Sequence, residues 1–193
     1  MFRKLTSLFK KRRSPGNPQL EMLRDNLDNL PEITIPDGYE LRSYQPGDET
    51  AWCVIMEGNV GQNWTVEKCR EKIIEDSRFL PENLIFITHG GNPVASVCAW
   101  RKPIEDRTVG QVHMVAALES HRGNGLGHLL NAAVLHRIRS LGFQQADLKT
   151  DEWRLAAISS YITADFHPRH THESHPERWK QVYKELGLPE SDT

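Results

Sequence analysis

The chain is poor in the residues that mark several common protein classes. It has three cysteines, Cys53, Cys69 and Cys98, in 193 residues. An odd number with no ligand-like spacing argues against a disulfide framework or a cysteine zinc site. All three sit in apolar contexts and read as core rather than as a catalytic thiol. No apolar run approaches the roughly 20 residues that a membrane-spanning helix needs, and the start lacks a secretory pattern. These absences point to a reducing compartment, and a cytoplasmic location is the expectation. Charge of one sign is lacking too: 24 Lys and Arg stand against 26 Asp and Glu, a formal net charge of −2. No global field therefore favours nucleic acid, and no internal repeat or low-complexity tract is present. What remains, 38% hydrophobic and 26% charged, is the composition of one globular domain.

The first stretch, MFRKLTSLFKKRRSPGNPQ, is rich in Lys and Arg and has no acidic residue. Phe2, Leu5, Leu8 and Phe9 share one helical face. The stretch reads as a solvated N-terminal extension, with membrane contact through its basic face as the sharper alternative. Residues 1–30 are assigned to extension and linker, and 31–193 to the folded domain. Within that domain Tyr39–Ser43 reads as a strand, and a short helix starts at Asp48. TVEKCREKIIEDSRF reads as a second helix capped by Thr65. NLIFIT and PVASVCAW flank the turn sequence HGGN and form an antiparallel hairpin. A longer strand, Val109–Leu118, leads into HRGNGLGHLL. An amphipathic helix follows, carrying Leu126, Leu129, Leu130, Ala133, Val134, Ile138 and Leu141 and stopped by Gly142. QQADLKT is a further strand, and RLAAISSYITADF and HPERWKQVYKEL are helices. The expected class is α/β, a single domain with a mixed sheet.

The glycines at 123, 125 and 127 are the most informative local feature. A dinucleotide fingerprint needs G-x-G-x-x-G and a P-loop needs G-x-x-x-x-G-K-[ST]; neither spacing is present. A glycine-rich bend from strand to helix nevertheless exposes unpaired backbone N–H groups at the positive end of the helix dipole. A pyrophosphate fits such a site, with Arg122 adding a charge-assisted contact. The plainer reading is a tight strand-to-helix turn.

Arg122-x-x-Gly125-x-Gly127 after a strand and before an amphipathic helix resembles the acetyl-CoA pyrophosphate loop of the GNAT N-acetyltransferase superfamily. AAISSYITADF is similar to the family pattern A-x-x-x-Y-x-x-x-G-F on the helix after the fifth strand. These motifs cover residues 109–166, and the order of elements extends the likeness from about residue 38. The likeness is nearest to bacterial domains of the mycothiol-synthase-like branch. It implies a mostly antiparallel sheet with helices on both faces and with the family's strands 4 and 5 splayed apart. It implies acetyl-CoA as cosubstrate, no metal, and direct acetyl transfer to an amine of a small molecule or a protein. It also admits a homodimer.

The resemblance carries specific residues. Tyr161 takes the place of the general acid for the departing thiolate; by spacing alone it also reads as a buried core tyrosine. His113 is the candidate base, because certain arylalkylamine-acetylating members place a histidine at this offset. Strict alternation puts it on the face of Gln111, Val115 and Ala117, and a packed strand histidine is the plainer alternative. Glu119 stands where the family usually has proline and is a weaker candidate. The cosubstrate would lie along Val115, Ala116 and Ala117 and on the loop Arg122, Gly123, Asn124, Gly125, Leu126, Gly127 and His128. Two residues depart from the family pattern: Arg154 stands in place of Asn, and Asp165 in place of Gly.

FHPRHTHESH brings His167, His170, His172 and His175 together. A solvated loop, a border to the acceptor pocket and a metal site are its three readings, and a helix is expected where the family usually has a strand hairpin. The functional alternative to an enzyme is a non-catalytic acyl-CoA-binding sensor or scaffold.

Overall fold

The computed structural model describes residues 17–101 and 108–189. The apolar face of Phe2, Leu5, Leu8 and Phe9 lies outside the described residues. In chain order the strands are Leu20–Arg24 (β1), Tyr39–Ser43 (β2), Leu84–His89 (β3), Asn92–Arg101 (β4), Val109–Ala117 (β5), Gln145–Thr150 (β6) and His167–Arg169 (β7). The helices are Glu49–Met56 (α1), Val66–Cys69 (α2), Leu126–Ser140 (α3), Leu155–Thr163 (α4) and His175–Leu186 (α5). One sheet runs β2-β3-β4-β5-β6-β1-β7. Its pairs are antiparallel except β5 with β6.

The central strands β3 and β4 are buried along nearly their whole length. Helices cover both faces, which is why their sequences are continuously apolar instead of alternating. On one face Leu129, Leu130, Val134 and Ile138 of α3 pack with Tyr161 of α4 and Trp179 of α5 against Val97, Ala99 and Val112. On the other, Trp52, Ile55 and Met56 of α1 join Cys69, Ile73, Phe86 and Trp100. Cys53, Cys69 and Cys98 are buried free thiols. The α/β class, the mostly antiparallel sheet and the helices on both faces are as expected. Gly110 sets the depth of one layer: a Cβ there would lie 2.5 Å from Cγ2 of Ile138, so α3 sits directly on the backbone of β5.

Four features differ from the sequence reading. Residues 20–24, assigned to the extension, form a core strand between β6 and β7; Leu20 and Met22 are fully buried. Buried Arg24 holds this region together, donating to the carbonyls of Asn26, Asp28 and Ala164 and to the Asp165 carboxylate. The first part of the histidine-rich segment is a strand, since β7 completes the sheet beside β1. The second helix keeps its Thr65 cap but continues after Cys69 as a π-helical turn, Arg70–Ile74. Finally, β5 is bulged. Ser96 faces Ala116 and Cys98 faces His113, so two residues, Met114 and Val115, oppose Val97 alone. Met114 takes a left-handed φ of 53°. An extra residue exchanges the faces of everything beyond it, so His113 packs on Trp100 while Val115 and Ala117 turn to the opposite core.

Candidate active site

The parallel pairing of β5 with β6 ends at Val112 opposite Leu148. Beyond this point the two strands part, leaving the edge of β5 toward β6 without a strand against it. The divergence opens a cleft of about 470 Å³, within the range of small-molecule sites. His113, Met114 and Val115 line it from β5, Lys149 and Thr150 from β6, and Tyr161 from α4. Val60 and Gly61 close it from the loop after α1, and Gln19 from the residue before β1.

Tyr161 and His113, far apart in sequence, are thus brought to one cavity. The Tyr161 side chain is 5% exposed and stacks edge-on with Phe166 at 6.1 Å. Burial pushes its hydroxyl up to about 12, and the nearby Arg154 charge draws it partly back. At neutral pH the phenol keeps its proton and is a donor. His113 lies 5.5 Å from Trp100, and the Arg78 guanidinium also lies over the Trp100 ring, 4.8 Å from its centre. Burial, and then the Arg78 charge, push the imidazole down to about 4. It is therefore neutral at pH 7 and weakly basic. Glu119 is exposed in a 3₁₀ turn, Glu119–His121, and does not line the cleft.

The glycine loop joins the far end of β5 to α3. Gly123 and Gly125 have φ of 84° and 74°, and Gly125 is the N-cap of α3. Gly127 serves a different purpose: a Cβ there would touch Ser160 Oγ of α4 at 3.4 Å. Two glycines thus form the bend, and the third allows α3 to approach the helix that carries Tyr161. The first intrahelical bond at this end runs from Leu129 N–H to the Gly125 carbonyl. The N–H groups of Leu126, Gly127 and His128 precede it and point out of the helix N-terminus, as helix geometry requires. Arg122 through Gly125 are exposed. Such a row of free donors at a positive helix end suits an anion.

Asn59 is a contributor that sequence reasoning missed. Its Oδ1 accepts from Arg122 at 2.7 Å, and its Nδ2 donates to the carbonyls of Ile55 and Ala117. Its own carbonyl accepts from Arg154. One residue therefore ties the glycine loop, the end of β5 and the start of α4 together. No local pattern distinguishes it, because all four partners except Ile55 are distant in sequence. Both family departures have structural roles. Arg154 is the N-cap residue of α4 and faces the cleft. Asp165 takes the left-handed turn usually given to glycine, with φ 58°. The Phe166 N–H reaches the Tyr161 carbonyl to close the helix end. Arg24 holds the Asp165 carboxylate at 3.0 Å.

The four histidines of 167–175 do not converge on this cleft. His167 pairs with Asp25, His172 accepts from the Ser174 N–H, and His175 is buried at the start of α5. Among the described residues no group of three or more His, Cys, Asp or Glu side chains is placed to hold a metal.

Residues 45–166 match the model of the acetyltransferase (GNAT) family. A mycothiol acetyltransferase of Thermomonospora curvata is 32% identical over 154 residues, covering 76% of this chain and 50% of the relative. Another, of Nocardia farcinica, is 31% identical and covers 84% of this chain and 53% of the relative. The chain thus spans about half the length of the curated relatives it matches. A GCN5-related N-acetyltransferase from Sphaerobacter thermophilus shares the fold, with a TM-score of 0.62 at 22% identity over 80% of this chain and 50% of that one. With the splayed β5 and β6, the glycine loop and the tyrosine helix in place, the chain belongs to the GNAT acetyltransferase family.

Proposed function

We propose that this protein is an acetyl-CoA-dependent N-acetyltransferase acting on the amine of a small molecule. The observation that carries the reading is the position of Tyr161. Its protonated phenol lines the wedge between β5 and β6, and the anion-ready loop lies at the far end of β5. In this reading Arg122 and the N–H groups of Gly123–His128 hold the pyrophosphate. The open edge of β5 at Val115, Ala116 and Ala117 takes the pantetheine arm as an extended strand would. The amine nitrogen attacks the thioester carbonyl; the new C–N bond forms and the C–S bond breaks. Tyr161 gives its proton to the sulfur, and the proton lost by the amine restores it through solvent. His113 is neutral and can take that proton only weakly, so Tyr161 is the more important group. The size of the cleft favours a small acceptor over a folded protein surface. The buried free thiols are in keeping with a reducing cytosol as its setting.

The test is release of free CoA thiol from acetyl-CoA across a panel of amines, with Tyr161→Phe as the control. Wild type should turn over, and Tyr161→Phe should bind acetyl-CoA normally while kcat falls by about 10² to 10³. Tight CoA binding with no release for any amine would instead assign the chain to the non-catalytic acyl-CoA-binding class.

A further inference from the structure

One wall of the cleft carries a loosely held ion pair. Arg154 Nε and Asp151 Oδ2 are 3.7 Å apart, well beyond the 2.7–2.9 Å of a charge-assisted hydrogen bond. Each has one further contact. Arg154 donates to the Asn59 carbonyl, and Asp151 Oδ2 meets Gln19 Nε2 at 3.4 Å. Both side chains are mostly buried, 22% and 14% exposed, and both line the cleft that holds Tyr161 and His113. A guanidinium and a carboxylate held side by side thus present a positive and a negative group to the same cavity. The third charge on this wall, Lys149, is already matched by Glu21 at 3.2 Å.

We propose that Asp151 and Arg154 are the acceptor anchor, and that the acceptor is a free α-amino acid or a close aminocarboxylate analogue. The inference rests on the acetyltransferase reading above. The acceptor's ammonium docks on Asp151 and releases one proton to solvent before the neutral amine attacks, and its carboxylate meets Arg154, so adjacent charges of the ligand are met by adjacent charges of opposite sign. A planar guanidinium suits a carboxylate better than an ammonium would. A peptide N-terminus or a lysine side chain carries the amine without the neighbouring anion and would offer Arg154 no carboxylate. Arg154 also bears on the chemistry, because its charge is felt at the Tyr161 hydroxyl. The anchor and the proton donor therefore belong to one site.

The experiment compares the L-α-amino acids with their matching carboxamides as acceptors, by CoA release at saturating acetyl-CoA. The best acid should exceed its amide at least tenfold in kcat/KM. In Arg154→Gln, the loss with the acid should exceed the loss with the amide by at least tenfold. Asp151→Asn should instead raise KM for both, since both carry the ammonium. Equal use of acid and amide by the wild type overturns the proposal without recourse to any variant. So does an equal loss for both in Arg154→Gln, or acetyl-CoA binding with turnover only on amines lacking a carboxylate. Failure to bind acetyl-CoA in calorimetry would overturn the acetyltransferase reading itself, which separates the two failures.

Discussion

Lowering the pH should expose the cost of burying His113. Its imidazole stands at about 4 in the fold, against about 6.5 in an unfolded chain. The folded value is depressed, so the unfolded chain binds the extra proton first. The stability associated with the neutral ring is therefore complete above pH 6.5 and is lost as pH falls toward 4. One pKa unit corresponds to 1.36 kcal/mol, so by linkage the loss is about 2 kcal/mol at pH 5 and about 3 kcal/mol at pH 4. It levels off at about 3.4 kcal/mol below about pH 3. The perturbation is His113→Gln, which fills similar space and does not titrate in this range. Urea unfolding of both proteins at pH 7, 6, 5 and 4 isolates the histidine, because every other titrating group cancels in the difference. The stability of wild type relative to His113→Gln should fall by about 2 kcal/mol between pH 7 and pH 5. A difference that stays constant with pH would refute the buried, neutral assignment. The same displacement bears on catalysis: His113 should contribute no inflection near 6.5 to the pH–rate profile.

Other substitutions test separate parts of the fold and the site. Gly125→Glu places a side chain on a residue with φ 74° and a negative charge at the helix N-terminus; it should abolish CoA binding in calorimetry at a cost of about 1–2 kcal/mol in stability. Retained micromolar CoA binding would count against the loop as the pyrophosphate site. Gly110→Ala drives a methyl to 2.5 Å from Ile138, and denaturant titration should show a loss of about 1–3 kcal/mol from overpacking. Arg24→Met removes the donor that serves Asn26, Asp28, Ala164 and Asp165; it should cost about 3 kcal/mol, and an unchanged melting temperature would show that this anchor contributes little.

Elements specified by contiguous residues were legible before any fold was known. The HGGN turn between two β-rich runs defines the β3–β4 hairpin, the spacing of Leu126 through Ile138 defines α3, and the paired motifs around Gly125 and Tyr161 carry the family resemblance. The strand β1 escaped notice because LEMLR is short and follows a basic, proline-punctuated tail. Its strand character comes from β6 on one side and β7 on the other. The placement of His113 and Val115 on a common face failed for a similar reason. Alternation is a property of a regular strand, and the extra residue at Met114 is set by the register with β4.

The sequence by itself therefore determined the class of fold and the glycine-rich bend before α3, because helix periodicity, turn chemistry and glycine spacing act over a few neighbours; the role proposed for Tyr161 comes from the family resemblance. Only the tertiary structure decided which residues share the cleft. Asn59 joining Arg122 to Arg154, Gln19 reaching Asp151, and the separation of β5 from β6 after Val112 are contacts between segments far apart along the chain. Their geometry is fixed by packing on both faces of the sheet, and no local pattern encodes it.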